Sequence, residues 1–144
     1  PTLLILDEAW MFLDNPIFST KIREWLKTLR KKNVGVVFAT QSIYDADKTE
    51  IAEVIRESCL TKIFLPNGAA LQPQSQEFYK RFGLNERQIR ILASAYPQRD
   101  YYYTSKKGNR LFSLGLDDLA LAYCGASKPA DQALVKRILK ESNN

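Results

Sequence analysis

Residues 3–10 read LLILDEAW, four apolar residues that run directly into two carboxylates, Asp7 and Glu8. With no polar alternation before the acids, TLLILD (2–7) reads as a strand buried on both faces, the pattern of a parallel sheet covered by helices. The acids themselves admit two readings. They are either a surface strand end followed by a helix cap, or the metal- and water-handling half of a site that hydrolyses a nucleotide. A second stretch, NVGVVFATQ (33–41), repeats the pattern and closes on a polar step, Thr40-Gln41-Ser42. In open α/β sheets ligands gather at the C-terminal ends of the strands. Two such strand ends separated by a single helix favour the second reading.

The intervening segment, residues 16–32, spaces Ile17, Ile22, Trp25, Leu26 and Leu29 mostly three and four apart, with Pro16 in the first turn and Lys/Arg in the last. That is an amphipathic helix. KTEIAEVIRESC (48–59) reads as a further helix, and TKIFLP (61–66) as a third strand stopped by Pro66 and Gly68. Two helical stretches, 73–82 and 85–95, meet at Gly83, with Asn85 as N-cap of the second. QRDYYYTS and NRLFSLGL flank KKGN and form a hairpin with Gly108 in its turn. The last segments, 116–125 and 128–142, are helical. Strands alternating with helices argue an α/β domain.

Composition narrows the chemistry. A chain of 144 residues with 45% hydrophobic and 26% charged residues can bury a core as one domain. The net charge of +5 and a pI of about 9.2 permit contact with nucleic acid or an anionic surface without requiring it. The short basic cluster RKK (30–32) reads as a solvated helix end. The absence of histidine excludes zinc chemistry and His-activated nucleophiles. Cys59 and Cys124 read as reduced, buried fillers of an intracellular protein. No apolar run reaches the roughly 20 residues of a membrane span, and no signal peptide is visible. Pro1, directly before a strand, reads as the cut end of a longer chain.

An apolar strand followed by Asp-Glu is the Walker B arrangement, in which the Asp holds Mg2+, usually through water, and the Glu polarises the attacking water. Asp7 and Glu8 fill those roles. Gln41 offers a neutral amide that can bond both a terminal phosphate oxygen and that water, with Thr40 beside it as a nucleotide contact. The structural alternative is that Gln41 caps the next helix. Lys62, at the start of the third strand, faces away from Asp7 and Gln41 and could reach a neighbouring subunit's nucleotide, as an arginine finger does; Arg56 is the competing candidate. Each is otherwise an exposed salt-bridging base. No G-x-x-x-x-G-K-[ST] loop is present, so this segment alone should bind ATP poorly. DYYYTS (100–105), beside Lys106, Lys107 and Arg110, is either a pair of half-packed strand faces or a base-stacking platform. Trp10 and Trp25 read as core and interface anchors.

Taken together, LLILDEAWMFLDNPIF, KIREWLKTLRKKNVGVVFATQS, ESCLTKIFLPN, FGLNERQI, RDYYYTS, KGNRLFSLGL and ALAYCGAS resemble the C-terminal ATPase domain of the conjugative-transfer and type IV secretion ATPases, in their TrbE-like branch. That family is similar to the FtsK/HerA DNA-pumping motors. The resemblance covers essentially the whole chain. It implies that residues 1–144 are the C-terminal portion of a RecA-like P-loop NTPase core: a mostly parallel sheet flanked by helices, then a C-terminal β-hairpin and helices. It further implies ATP and Mg2+ as ligands, with Asp7 and Glu8 as the Walker B pair and Gln41 as the glutamine after the next strand. Lys62 falls where related motors carry a basic residue, often arginine; lysine supplies a point charge in place of a planar fork. A hexameric ring, contact with other type IV secretion components, possible contact with DNA and a cytoplasmic location peripheral to the bacterial inner membrane follow from the same resemblance. The alternatives are a DNA helicase or translocase of the same fold, and a non-catalytic interaction module. Because the phosphate-loop strand of RecA-like sheets lies between the strand ending at Gln41 and the one starting near Lys62, the isolated segment is expected to be unstable or to close that gap by other pairing.

Overall fold

A computed structural model describes residues 1–9, 15–41, 44, 47, 50–126 and 128–142. Trp10, Ser42 and the first residues of the expected 48–59 helix lie outside them. By its contacts the chain divides into two units, Pro1–Phe112 and Ser113–Asn144.

The first unit begins with strand β1 (Thr2–Leu6), helix α1 (Pro16–Thr28), a single 3-10 turn (Leu29–Lys32) and strand β2 (Val34–Phe38). β1 and β2 run parallel, in register from Thr2 opposite Val34 to Leu6 opposite Phe38. Helix α1 starts where the sequence places it, because the Asn15 side chain accepts the Ile17 amide at 3.0 Å and Pro16 needs no donor partner in the first turn. From α1 comes Ile22, which packs with Ile51 and Ile55 and with Phe82; Leu6, Trp25, Leu26, Phe38 and Phe64 close around them.

Burial along β1 alternates although its sequence does not. Leu4 and Leu6 are half-buried, while Leu3 and Ile5 are each 61% exposed and Val37 of β2 is 45% exposed. The two-face burial expected of TLLILD is therefore not found here, since the core around Ile22 covers the other face of the pair.

Helix α2 (Ala52–Ser58) leads into strand β3 (Lys62–Phe64). β3 does not continue the β1–β2 ladder; it pairs antiparallel with β4 (Asp100–Ser105), which in turn borders β5 (Gly108–Ser113). β2 and β3, between which the resemblance puts a further strand, thus share no ladder. The hairpin reverses at Lys106-Lys107, and Gly108 takes φ 133°, a region that L side chains avoid.

Between β3 and β4, a 3-10 turn (Gly68–Leu71) and helices α3 (Pro73–Arg81) and α4 (Glu86–Ser94) build a second core from Ala70, Tyr79, Leu84, Ile89, Leu92 and Tyr102. Phe64 borders both cores and meets the Tyr79 ring edge-on at 6.0 Å. The α3–α4 corner follows from three residues. Gly83, at φ 95°, closes α3 with two bonds, Leu84 N to Tyr79 O and Gly83 N to Lys80 O, both 3.0 Å. That is a Schellman closure. Asn85 then opens α4 through a reciprocal capping box with Gln88.

The second unit contains helices α5 (Asp118–Cys124), capped by the Asp117 carboxylate on the Ala120 amide at 2.7 Å, and α6 (Pro129–Ser142). Cys124 is exposed and Cys59 only half-buried, and both are free thiols; the expectation that both are buried fillers does not hold, because Cys124 falls on the solvent side of a short helix. Among the described residues no helix is long and apolar enough to cross a membrane.

Gly83→Ala should destabilise the first unit by about 1–2 kcal/mol, the cost of a left-handed residue with a Cβ. Gly83→Asn should cost less. Chemical denaturation of the two variants beside the parent checks the order.

Candidate nucleotide-handling edge

Parallel pairing brings the C-terminal ends of β1 and β2 to one edge. The ladder continues past the strands: the Ala39 amide donates to the Leu6 carbonyl at 2.9 Å, and the Ala9 amide donates to the Ala39 carbonyl at 3.0 Å. Between these two ties Asp7 and Glu8 form a tight loop. Its geometry depends on Glu8, which adopts φ 50°. A left-handed conformation is uncommon for a non-glycine residue and is typically held where surrounding structure demands it. The Asp7 carboxylate accepts the Glu8 amide at 3.0 Å, which fixes the turn locally.

Across the edge, Gln41 follows β2 by three residues. Its side-chain amide Nε2 donates to Glu8 Oε1. The two residues singled out for handling water, 33 positions apart in sequence, are thus in direct contact. Thr40 is half-buried beside Gln41, and Asp7 is exposed at the end of its strand. Asp7, Glu8, Thr40 and Gln41 therefore share one strand edge.

The two basic candidates belong to a different neighbourhood. The Arg56 guanidinium donates to Asp47 Oδ1 at 2.7 Å and lies over the Phe82 ring, 5.7 Å from its centroid. Asp47 has only 4% of its side chain exposed; its other oxygen accepts from Arg81 at 2.6 Å. Arg81 also bonds Glu77 at 2.6 Å, and Glu77 first, then Asp47, raise its guanidinium above the usual arginine value. Asp47 is the residue the sequence does not advertise. Nothing in YDADKTE marks one acid of three as buried, and only the packing of α2 and α3 makes it the shared counter-ion of two arginines.

Lys62 begins β3, as its sequence position suggests, and its ammonium reaches the Arg56 carbonyl at 3.5 Å, the limit of hydrogen-bonding range. Nearby, burial pushes the Cys59 thiol up, with the Lys62 charge opposing. A thiol so placed is a poor nucleophile.

Among the described residues no cluster of three or more His, Cys, Asp or Glu could hold a metal ion by itself. Mg2+ rarely needs one: it is commonly held by one or two carboxylates, with water and substrate phosphates completing the shell. The exposed Asp7 carboxylate fits that donor set.

The conjugal transfer protein TrbE of Rhizobium radiobacter is 55% identical to this chain over 141 residues, 98% of this chain and 17% of TrbE. The type IV secretion system protein VirB4 of Bartonella henselae is 31% identical over 144 residues, 96% of this chain and 18% of VirB4. The chain thus spans less than a fifth of either relative. In three dimensions it is similar to the structure of VirB4 of Thermoanaerobacter pseudethanolicus, with a TM-score of 0.67 and 19% identity over 83% of this chain and 32% of that one. This likeness shows the fold, the α/β architecture of the VirB4 core. No family model matches.

Asp47→Ala should lower stability by about 2 kcal/mol, the scale of a lost hydrogen bond to a charged group. Glu77→Ala, whose partner keeps Asp47, should change it little. Thermal melts of the two variants separate a buried counter-ion from a surface pair.

Proposed function

We propose, from the premise that the chain belongs to the TrbE/VirB4 family of conjugal-transfer and type IV secretion proteins, that it supplies the water- and phosphate-sensing half of an ATP-hydrolysing site. The observation that carries this reading is the contact between Gln41 and Glu8 across the C-terminal edge of a parallel strand pair.

In this reading the exposed Asp7 carboxylate at the strand end would hold Mg2+. When bound, Mg2+ neutralises charge on the phosphate oxygens. Glu8 accepts hydrogen bonding from the attacking water and orients it. The Gln41 amide holds Glu8 in place while the terminal phosphate is absent. Once a phosphate oxygen competes for that amide, Glu8 is released toward water, so occupancy and activation are coupled by one donor. Thr40 lines the same edge. The phosphate-binding loop, missing from residues 1–144, would come from elsewhere in the protein.

A neighbouring subunit in a ring, which related motors form as a hexamer, would complete the site with a cation. Of the two candidates Lys62 is favoured, because Arg56 is already committed to buried Asp47 and the Phe82 ring. The whole protein then serves as a motor that energises a type IV secretion or conjugation channel, working with the channel's other components at the cytoplasmic face of the inner membrane.

In the full-length protein, Glu8→Gln should cut ATP turnover at least about 100-fold, the scale of losing a general base, while leaving ATP binding intact. Turnover near the parent rate would remove Glu8 from hydrolysis. Lys62→Ala should also lower turnover, and mixing it with Glu8→Gln subunits should restore part of the activity if the lysine acts in trans. No recovery in the mixture sinks the finger role.

A further inference from the structure

We infer that the outer face of the β3–β4–β5 sheet is a binding site for single-stranded nucleic acid. The strand alternation of DYYYTS divides its three tyrosines. Tyr102 turns inward and is buried in the second core, while Tyr101 and Tyr103 point the other way and remain half-buried. On that outer face Tyr101 stacks on Phe112 of β5, with ring centroids 5.5 Å apart and 25° between the planes. Tyr103 lies opposite Ile63 of β3, which is 57% exposed and extends the same surface. Tyr101, Tyr103 and Phe112, each half-buried, and the exposed Ile63 so share one face of the sheet.

The rim of this face, the floor of the site, is cationic. A shallow depression of about 560 Å³ is lined by Tyr103, Ser105, Lys107, Asn109, Arg110 and Phe112 together with Gly108, without an acidic residue among them. Its volume falls within the range of small-ligand clefts, roughly 300–1,000 Å³. Asp100, the acid of β4, is buried on the opposite face, where it accepts the Tyr96 amide at 2.9 Å. The turn is itself fixed: the Ser105 hydroxyl donates to Gly108 O at 3.3 Å and accepts the Lys107 amide at 3.1 Å. Lys106 and Lys107 therefore leave the hairpin tip from a defined backbone.

Charge decides the occupant. An apolar protein surface docked here would bury Lys107 and Arg110 without a counter-charge, which is costly. A polyanion carrying flat rings satisfies both features, its phosphates meeting the two cations and its bases stacking on the tyrosines. Duplex bases are already stacked on each other and cannot reach such a floor, so the ligand is single-stranded. This floor shares no residue with the strand edge at Glu8, and its use requires no ATP.

The test is fluorescence anisotropy of a labelled oligothymidylate of about 20 nucleotides, a length sufficient for a groove of this kind, titrated with the full-length protein without ATP. The parent should bind with an affinity that falls as salt rises. Tyr103→Ala should weaken binding about 5- to 100-fold, the range for losing one stacked base, whereas Tyr103→Phe should bind as the parent does. Arg110→Glu, on the exposed rim and independent of core packing, should weaken binding and reduce the salt slope by about 0.7 for each phosphate it ceases to neutralise. The inference is overturned if the parent does not bind, if all variants bind alike, or if a duplex of equal length binds as tightly through the same residues. It is equally overturned if the variants change self-association or partner assembly while oligonucleotide binding is unchanged.

Discussion

The candidate site depends on the parallel ladder between β1 and β2 and on the two amide bonds that prolong it. Parallel strands deliver both C-terminal ends to one edge, which an antiparallel pair cannot do. The ties from Ala39 to Leu6 and from Ala9 to Ala39 then leave Asp7 and Glu8 as a short loop with little freedom. Glu8 is carried into a left-handed conformation, and from there its carboxylate meets the Gln41 amide. A one-residue slip of register would turn every strand side chain to the opposite face and part the two residues. Ile22, Trp25 and Leu26 of α1, packed beneath the pair, oppose such a slip by giving one face of the ladder an apolar partner.

The second region is organised by packing between helices and a hairpin. β3 belongs to that region by hydrogen bonding, yet its Phe64 side chain borders the first core as well. A single aromatic ring thereby borders both cores of the first unit. The Asp47 node works differently. It ties Arg56 of α2 and Arg81 of α3 with one carboxylate, so that two helices far apart in sequence share a buried charge. Removing the carboxylate would leave both guanidinium groups without their shared counter-charge, which is what makes loss of one partner of a buried pair costly.

Much of the architecture was legible in local chemistry. Pro16 in a first turn, Asn85 as an N-cap and Gly83 between two helices each carry a boundary signal whose mechanism involves only nearby residues, and each boundary lies where those residues predict. Gly108 likewise marked the hairpin. Less legible were features that depend on what packs where. LLIL has no alternation to reveal which of its faces is covered, and a cysteine at 124 looks apolar until its helix is oriented. The attachment of β3 to the hairpin was also hidden, because three residues of strand carry no register information of their own.

Sequence by itself determined the order and type of the elements, the two acids and the glutamine that end apolar strands, and the kinship with TrbE and VirB4. These rest on local periodicity, caps and residue identity, which need no knowledge of distant neighbours. Tertiary structure alone decided that Gln41 donates to Glu8, that Arg56 is held by Asp47 while Lys62 is not, and that Tyr101, Tyr103 and Phe112 share a face rimmed by cations. The contacts that decide them reach far along the chain: 33 positions from Glu8 to Gln41 and 9 from Asp47 to Arg56, while the Tyr101–Phe112 stack joins two strands. Such contacts exist only once the ladders and cores have fixed the path of the chain.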